Sequence, residues 1–138
     1  MDLDDALLDD ADALLAADSR QLLPMTASAG ASIRAAAAMV TPQAIDRVVD
    51  DGRPHAVVVV GGGGSRAAGD ILAAVAGSGS PVPVMTFGGP SLPGWVGPTD
   101  VVVAVSGSGR TPETLEVSAE AARRGCRLVV VAPERSPL

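Results

Sequence analysis

The sequence predicts an α/β protein built on a doubly wound parallel sheet, and three observations predict it. Short β-branched runs alternate with helical segments from residue 56 to residue 132, with brief connections between them. That alternation is the pattern of parallel strands joined by crossover helices in three α/β/α layers. A glycine- and serine-rich loop follows the first run (Gly61-Gly62-Gly63-Gly64-Ser65), and a second follows the third run (Ser106-Gly107-Ser108-Gly109-Arg110-Thr111). In a flavodoxin-type strand order 2-1-3-4, these two loops meet where the order reverses, which is where such sheets bind ligands.

The elements follow in order. Leu3, Leu7, Leu8, Leu14 and Leu15 recur at helical spacing among aspartates, predicting a helix over 2–17 with a solvated acidic face. A second helix is expected from about Ala29 to Met39, with Met25 and Met39 as packing residues. Thr41 then reads as an N-cap and Pro42 as the first helical position of a third helix running to Asp50. Gly52-Arg53-Pro54 stops it, so residues 1–50 form a helical lead-in and 51–138 the α/β domain.

The run Ala56 to Val60 is apolar throughout, as expected of a strand covered on both faces. Arg66 to Ala76 is helical and ends at Gly77-Ser78-Gly79-Ser80-Pro81. Val82 to Phe87 is a strand that Pro81 and Pro83 place at an edge. The proline- and glycine-rich stretch from Gly88 to Thr99 is a structured loop into which Trp95 is expected to pack. Val101 to Val105 is the third strand. A helix from Pro112 to Arg124 follows, capped by Thr111, with Glu113 and Glu116 near its positive end and Arg123 and Arg124 near its negative end. Gly125 closes the helix, and Arg127 to Ala132 is the fourth strand, opening on Cys126 as a small buried hydrophobe.

Composition excludes several function classes. One Phe, one Trp and no Tyr leave little for base stacking, and a net charge of -6 opposes a nucleic-acid backbone. All ten basic residues are Arg, which removes lysine Schiff-base chemistry. A single Cys gives neither an internal disulfide nor a metal cluster, so no metal is expected. The apolar runs are too short to span a bilayer, and aspartates stand where a signal peptide would be basic. The expectation is a cytoplasmic protein with no membrane and no nucleic-acid partner.

A glycine-rich loop at a helix N-terminus offers N–H groups and partial positive charge to an anion. A dinucleotide site would need an acidic residue about 20 positions on, and residues 71–99 hold neither Asp nor Glu. A nucleotide P-loop spaced from Gly64 to Gly69 would place Asp70 where lysine belongs. No cofactor is therefore expected. In the second loop Ser106, Ser108 and Thr111 interleave with glycines ahead of a capped helix, a donor set that suits a phosphomonoester.

The segment Ser106-Gly107-Ser108-Gly109-Arg110-Thr111-Pro112-Glu113-Thr114 resembles the S-x-S-G-x-T-x-E-T signature of sugar isomerase (SIS) domains. Gly61 to Gly69 resembles their first loop, with Ser65 in the serine position, and Ser136-Pro137-Leu138 is similar to a piece found after their fourth strand. The similarity covers roughly residues 40 to 138. The lead-in and the approach Trp95 to Asp100 look most like the N-terminal half of actinobacterial bifunctional phosphoglucose/phosphomannose isomerases.

The resemblance implies a sugar phosphate held by Ser106, Ser108 and Thr111, with the backbone of Gly107 and Gly109 in the same loop. It implies that Gly63, Gly64 and Ser65 line the sugar side. Glu113 belongs to the motif, chiefly at the helix start, and is a candidate catalytic group. Arg110 either adds a contact to the phosphate or points to solvent, and Arg135 lies at the sheet edge that carries the loops. The resemblance also implies an aldose–ketose isomerase interconverting glucose or mannose 6-phosphate with fructose 6-phosphate, or else a non-catalytic SIS sensing or assembly domain. Acidic residues outnumber arginine over 1–50, against a DNA-reading segment there. The lone His55 falls at the end opposite the loops. In the resembling isomerases the catalytic groups come from a second SIS half, and one SIS unit has a fifth strand. The chain thus reads as truncated, expected to homodimerise or to associate with a second half.

Overall fold

The computed structural model describes residues 8–49 and 52–138. Residues 2–7 of the expected first helix, with Leu3 and Leu7, and Asp50 at the end of the third lie outside the described residues. Contacts divide the chain into two compact units, Met1–Ile45 and Asp46–Leu138, against an expected break after residue 50.

In the first unit, α1 spans Ala11–Ala17 and α2 spans Leu22–Met39. Asp10 caps α1, its carboxylate accepting from the N–H groups of Asp12 and Ala13 at 3.0 Å. α2 begins seven residues earlier than the pattern predicts. The Asp18 carboxylate accepts from the N–H groups of Leu22 and Leu23, both at 2.8 Å, and so caps the helix from outside its first turn. Pro24 then lies within that turn, where a missing N–H costs nothing. Met25 and Met39, expected to pack, are exposed. The third helix, α3, spans Pro42–Val49 and carries the boundary between the units.

The second unit is a four-stranded parallel sheet of order β2-β1-β3-β4, with β1 Val57–Gly61, β2 Val84–Phe87, β3 Val101–Val105 and β4 Arg127–Val131. Its register sets Val57 opposite both Val84 and Val101, and Val101 opposite Arg127. β2 begins two residues later than predicted because Pro81 and Pro83 supply no N–H to the ladder. Two helices complete the layers, α4 at Ala67–Ala76 and α5 at Pro112–Arg123.

Alternation along the strands assigns each helix its face. Val58, Val60, Val102 and Ala104 pack with Val117 and Ala121 of α5 and with Leu92 and Val96 of the long loop. Val59 points the other way, toward α4. There a Cβ built on Gly69 would stand 2.9 Å from the Val59 Cβ, so only glycine lets this helix lie so close. Trp95, expected to pack within its loop, is 55% exposed, and the loop instead inserts Leu92 and Val96. Cys126 is buried, and burial pushes its thiol above the ordinary value.

Candidate functional site

Two strand ends and one helix start converge on a cleft of about 550 Å³. Gly61, Gly62 and Gly63 follow β1 into it, and Phe87, Gly88 and Gly89 follow β2. Thr111, Glu113, Thr114 and Val117 contribute from the start of α5. Its place is the carboxyl end of the sheet beside the reversal of strand order, the general ligand position of such folds.

The sequence builds this corner from residues without side chains. A Cβ at Gly61 would stand 2.8 Å from the Val105 carbonyl oxygen, so glycine permits the two strand ends to draw together. A Cβ at Gly62 would stand 3.2 Å from the Thr111 methyl, which brings the start of α5 against the first loop. The Gly107 N–H donates to Ser65 Oγ at 3.3 Å and ties the two loops directly.

The second loop is internally bonded. Ser106 is 2% exposed, and its Oγ accepts from the Gly109 N–H at 3.0 Å and pairs with Thr111 Oγ1 at 3.2 Å. Ser108 Oγ accepts from the Arg110 N–H at 3.2 Å. Gly109 adopts a left-handed φ of 63° and lies against Ser136, while its carbonyl accepts from the Leu138 N–H at 3.2 Å. The Ser136-Pro137-Leu138 segment therefore buttresses the loop from behind.

The expected site residues thus separate into groups. Gly63, Thr111 and Glu113 line the cleft. Ser65 joins the loops, and Ser106 lies beneath Thr111 and orients its hydroxyl. Gly64, Gly107, Ser108, Gly109, Arg110 and Arg135 are not among the lining residues. Arg110 and Arg135 are exposed, the latter at a left-handed φ of 60°. Thr111 holds the N-cap position of α5 but makes no side-chain cap bond, its hydroxyl being turned to Ser106 instead. Pro112 has no N–H, and among the described residues the N–H groups of Thr111, Glu113 and Thr114 meet no acceptor. These donors, with the partial positive charge of a twelve-residue helix, face a cleft whose only charged lining residue among those described is Glu113.

Sequence reading passed over the wall formed by Phe87, Gly88 and Gly89. The paired glycines directly after a strand were the available signal, the same one that marked the other two loops. His55 lies before β1 at the opposite end of the sheet, its Nδ1 3.2 Å from Thr99 Oγ1. No described group of three or more His, Cys, Asp or Glu could hold a metal ion, and no described helix is long and apolar enough to cross a membrane.

No family model and no curated protein matches the chain. Solved structures do. The NanR protein of Vibrio vulnificus complexed with ManNAc-6P is 21% identical with a TM-score of 0.65, covering 91% of this chain and 50% of that one. A provisionally named phosphosugar isomerase of Salmonella typhimurium LT2 is 19% identical with a TM-score of 0.61, over 69% of this chain and 30% of that one. A similarly named protein of Clostridium difficile 630 is 17% identical with a TM-score of 0.55, over 67% and 28%. The chain spans under a third of the length of these two isomerase-named structures. At such identities the likeness is one of fold: the doubly wound α/β architecture of this chain is similar to theirs over the shares covered.

Proposed function

We propose that the cleft binds a phosphorylated sugar, its phosphate at the start of α5 against Thr111 and its sugar over Gly61–Gly63 and Gly88–Gly89. The observation that carries the reading is the convergence of unpaired α5 N–H groups, the Thr111 hydroxyl and side-chain-free loops in one cleft. Fold neighbours named as phosphosugar isomerases, and one complexed with ManNAc-6P, support the ligand class. In a complete protein the unit would serve a phosphoglucose/phosphomannose-type isomerase in the cytoplasm, either as a homodimer or joined to a second SIS half.

Isomerisation moves the C2 proton of an open-chain aldose to C1 through an enediol, which requires a positioned base. Among the described residues Glu113 is the one titratable side chain that lines the cleft, while His55 lies at the far end of the sheet. That shortage favours the alternative of binding without turnover for this chain by itself.

Titration calorimetry with glucose, mannose and fructose 6-phosphates separates these readings. Thr111→Val is expected to weaken binding about tenfold, the usual worth of a charge-assisted hydrogen bond. Ser106→Ala should weaken it less, since that hydroxyl acts through Thr111. Wild-type affinity unchanged in Thr111→Val would refute the phosphate position. Fructose 6-phosphate formed from glucose 6-phosphate by the chain, and lost in Glu113→Gln, would refute the non-catalytic alternative.

A further inference from the structure

The Ser136-Pro137-Leu138 segment meets the second loop without itself lining the cleft. Leu138 is half-buried and packs against the core on the α5 face of the sheet. Its N–H donates to the Gly109 carbonyl at 3.2 Å, and Ser136 fills the space that a Cβ on Gly109 would need. The N–H of Gly109 points to Ser106, donating to its carbonyl at 3.2 Å and to its Oγ at 3.0 Å. Ser106 Oγ pairs in turn with Thr111 Oγ1 at 3.2 Å, and Thr111 lines the cleft. A continuous run of contacts thus joins an apolar anchor outside the cleft to a hydroxyl at its wall.

Each link constrains the next. Glycine takes positive and negative φ about equally well, so the left-handed φ of 63° at Gly109 must be held by its surroundings. Leu138 and Ser136 hold it, and with it the direction of the Gly109 N–H. That N–H occupies a lone pair of the Ser106 hydroxyl. Ser106 is 2% exposed, so its own proton has no solvent to meet, and Thr111 Oγ1 is the acceptor beside it. A Thr111 hydroxyl that accepts from Ser106 keeps its proton for an oxygen in the cleft. A phosphate dianion takes donors only, so this direction of donation is the one it requires. We infer that Leu138 is a positioning residue of the phosphate site: by fixing Gly109 it fixes the Ser106 hydroxyl and hence the donor that Thr111 presents. This deepens the phosphosugar reading and rests on it.

Calorimetry of the full chain with inorganic phosphate and glucose 6-phosphate tests the assignment. Leu138→Ala should weaken both probes alike, by about fivefold, because the change falls at the phosphate they share. Leu138→Met keeps an apolar anchor of similar volume and should restore most of the affinity. In a Thr111→Val background, Leu138→Ala should cost less than about twofold, since its effect passes through the hydroxyl already removed. A purely structural role would instead lower the melting temperature and leave the two losses additive. Hydrogen exchange supplies a readout that needs no variant. Linkage is reciprocal, so saturating glucose 6-phosphate should slow exchange of the Leu138 amide by about the same fivefold. The Gly52 amide, bonded to Val49 near the amino end of β4, should keep its rate. Three results overturn the positioning role and leave the phosphosugar reading intact: wild-type affinity in folded Leu138→Ala, additive losses in the double variant, or Leu138 exchange unmoved by ligand. Failure of both probes to bind wild type overturns both.

Discussion

Two glycines show how one substitution changes sign with its surroundings. Gly30 lies within α2, and a Cβ there would meet only the flexible end of Arg34 at 3.6 Å. Alanine at this position gains about 0.5–1 kcal/mol by limiting the unfolded chain. Gly69 lies within α4, where the same gain is opposed by Val59 Cβ at 2.9 Å and Thr86 Oγ1 at 2.5 Å. Overpacking against a strand costs about 1–3 kcal/mol, so the clash prevails. Urea unfolding followed by circular dichroism should therefore show Gly30→Ala stabilised and Gly69→Ala destabilised. A stabilised Gly69→Ala would mean that α4 lies farther from the sheet than described. Both positions are glycine in helical sequence, and nothing in the chain itself tells them apart. Only the strand packed against Gly69 does.

α5 does two things at its two ends. Its first turn presents Thr111 and Glu113 to the cleft, and its last turn holds the long loop that carries the cleft's opposite wall. The Arg124 guanidinium donates to the carbonyls of Pro93 at 2.7 Å, Val96 at 3.1 Å and Leu92 at 3.2 Å, and also to Glu120. The Glu120 carboxylate accepts in turn from the Leu92 N–H at 2.9 Å. That backbone bond, more than the Arg124 charge, holds the Glu120 carboxyl below its ordinary value of 4.5, against the opposing effect of desolvation. A group with a depressed native value adds stability that is complete above the unfolded value and vanishes as pH falls through the native one. Glu120→Gln should thus be less stable than wild type at neutral pH, with the gap in melting temperature closing below pH 4.5. A gap constant from neutral to acid pH would show that the carboxylate charge plays no part. The strands and α5 were legible because β-branched runs, Pro112 and Gly125 are local signals. The clamp was not, since Arg124 and Leu92 are 32 residues apart and their pairing depends on the crossover. The cleft was legible in part for the same reason. Its loops carry local glycine signals, whereas the turning of the Thr111 hydroxyl to Ser106 arises only once strands are ordered.

The second unit as a whole separates function from support along the strand axis. At the amino ends of the strands, Asp100 is 2% exposed and accepts from the N–H groups of Ala56 at 3.1 Å and Gly97 at 2.8 Å, locking β1 to the approach of β3. At the carboxyl ends, glycines replace side chains and leave room for a ligand. The sheet's two edges differ as well. β2 is four residues long, approached by prolines, and its Thr86 is tied to Asp70 at 2.7 Å, features that blunt an edge. β4 pairs with β3 on one side, and Val130 and Val131 are 43% and 53% exposed with no charge beside them in the strand's second half. An apolar, regular edge with free ladder groups recruits another strand. Self-association through β4 is therefore expected, with sedimentation velocity showing a species whose share grows with concentration. Val130→Lys with Val131→Lys should shift the chain to monomer without lowering its melting temperature, because both side chains are half exposed already. Association that survives the double substitution would relocate the interface away from β4, and a monomer at every concentration would show that this edge is tolerated bare.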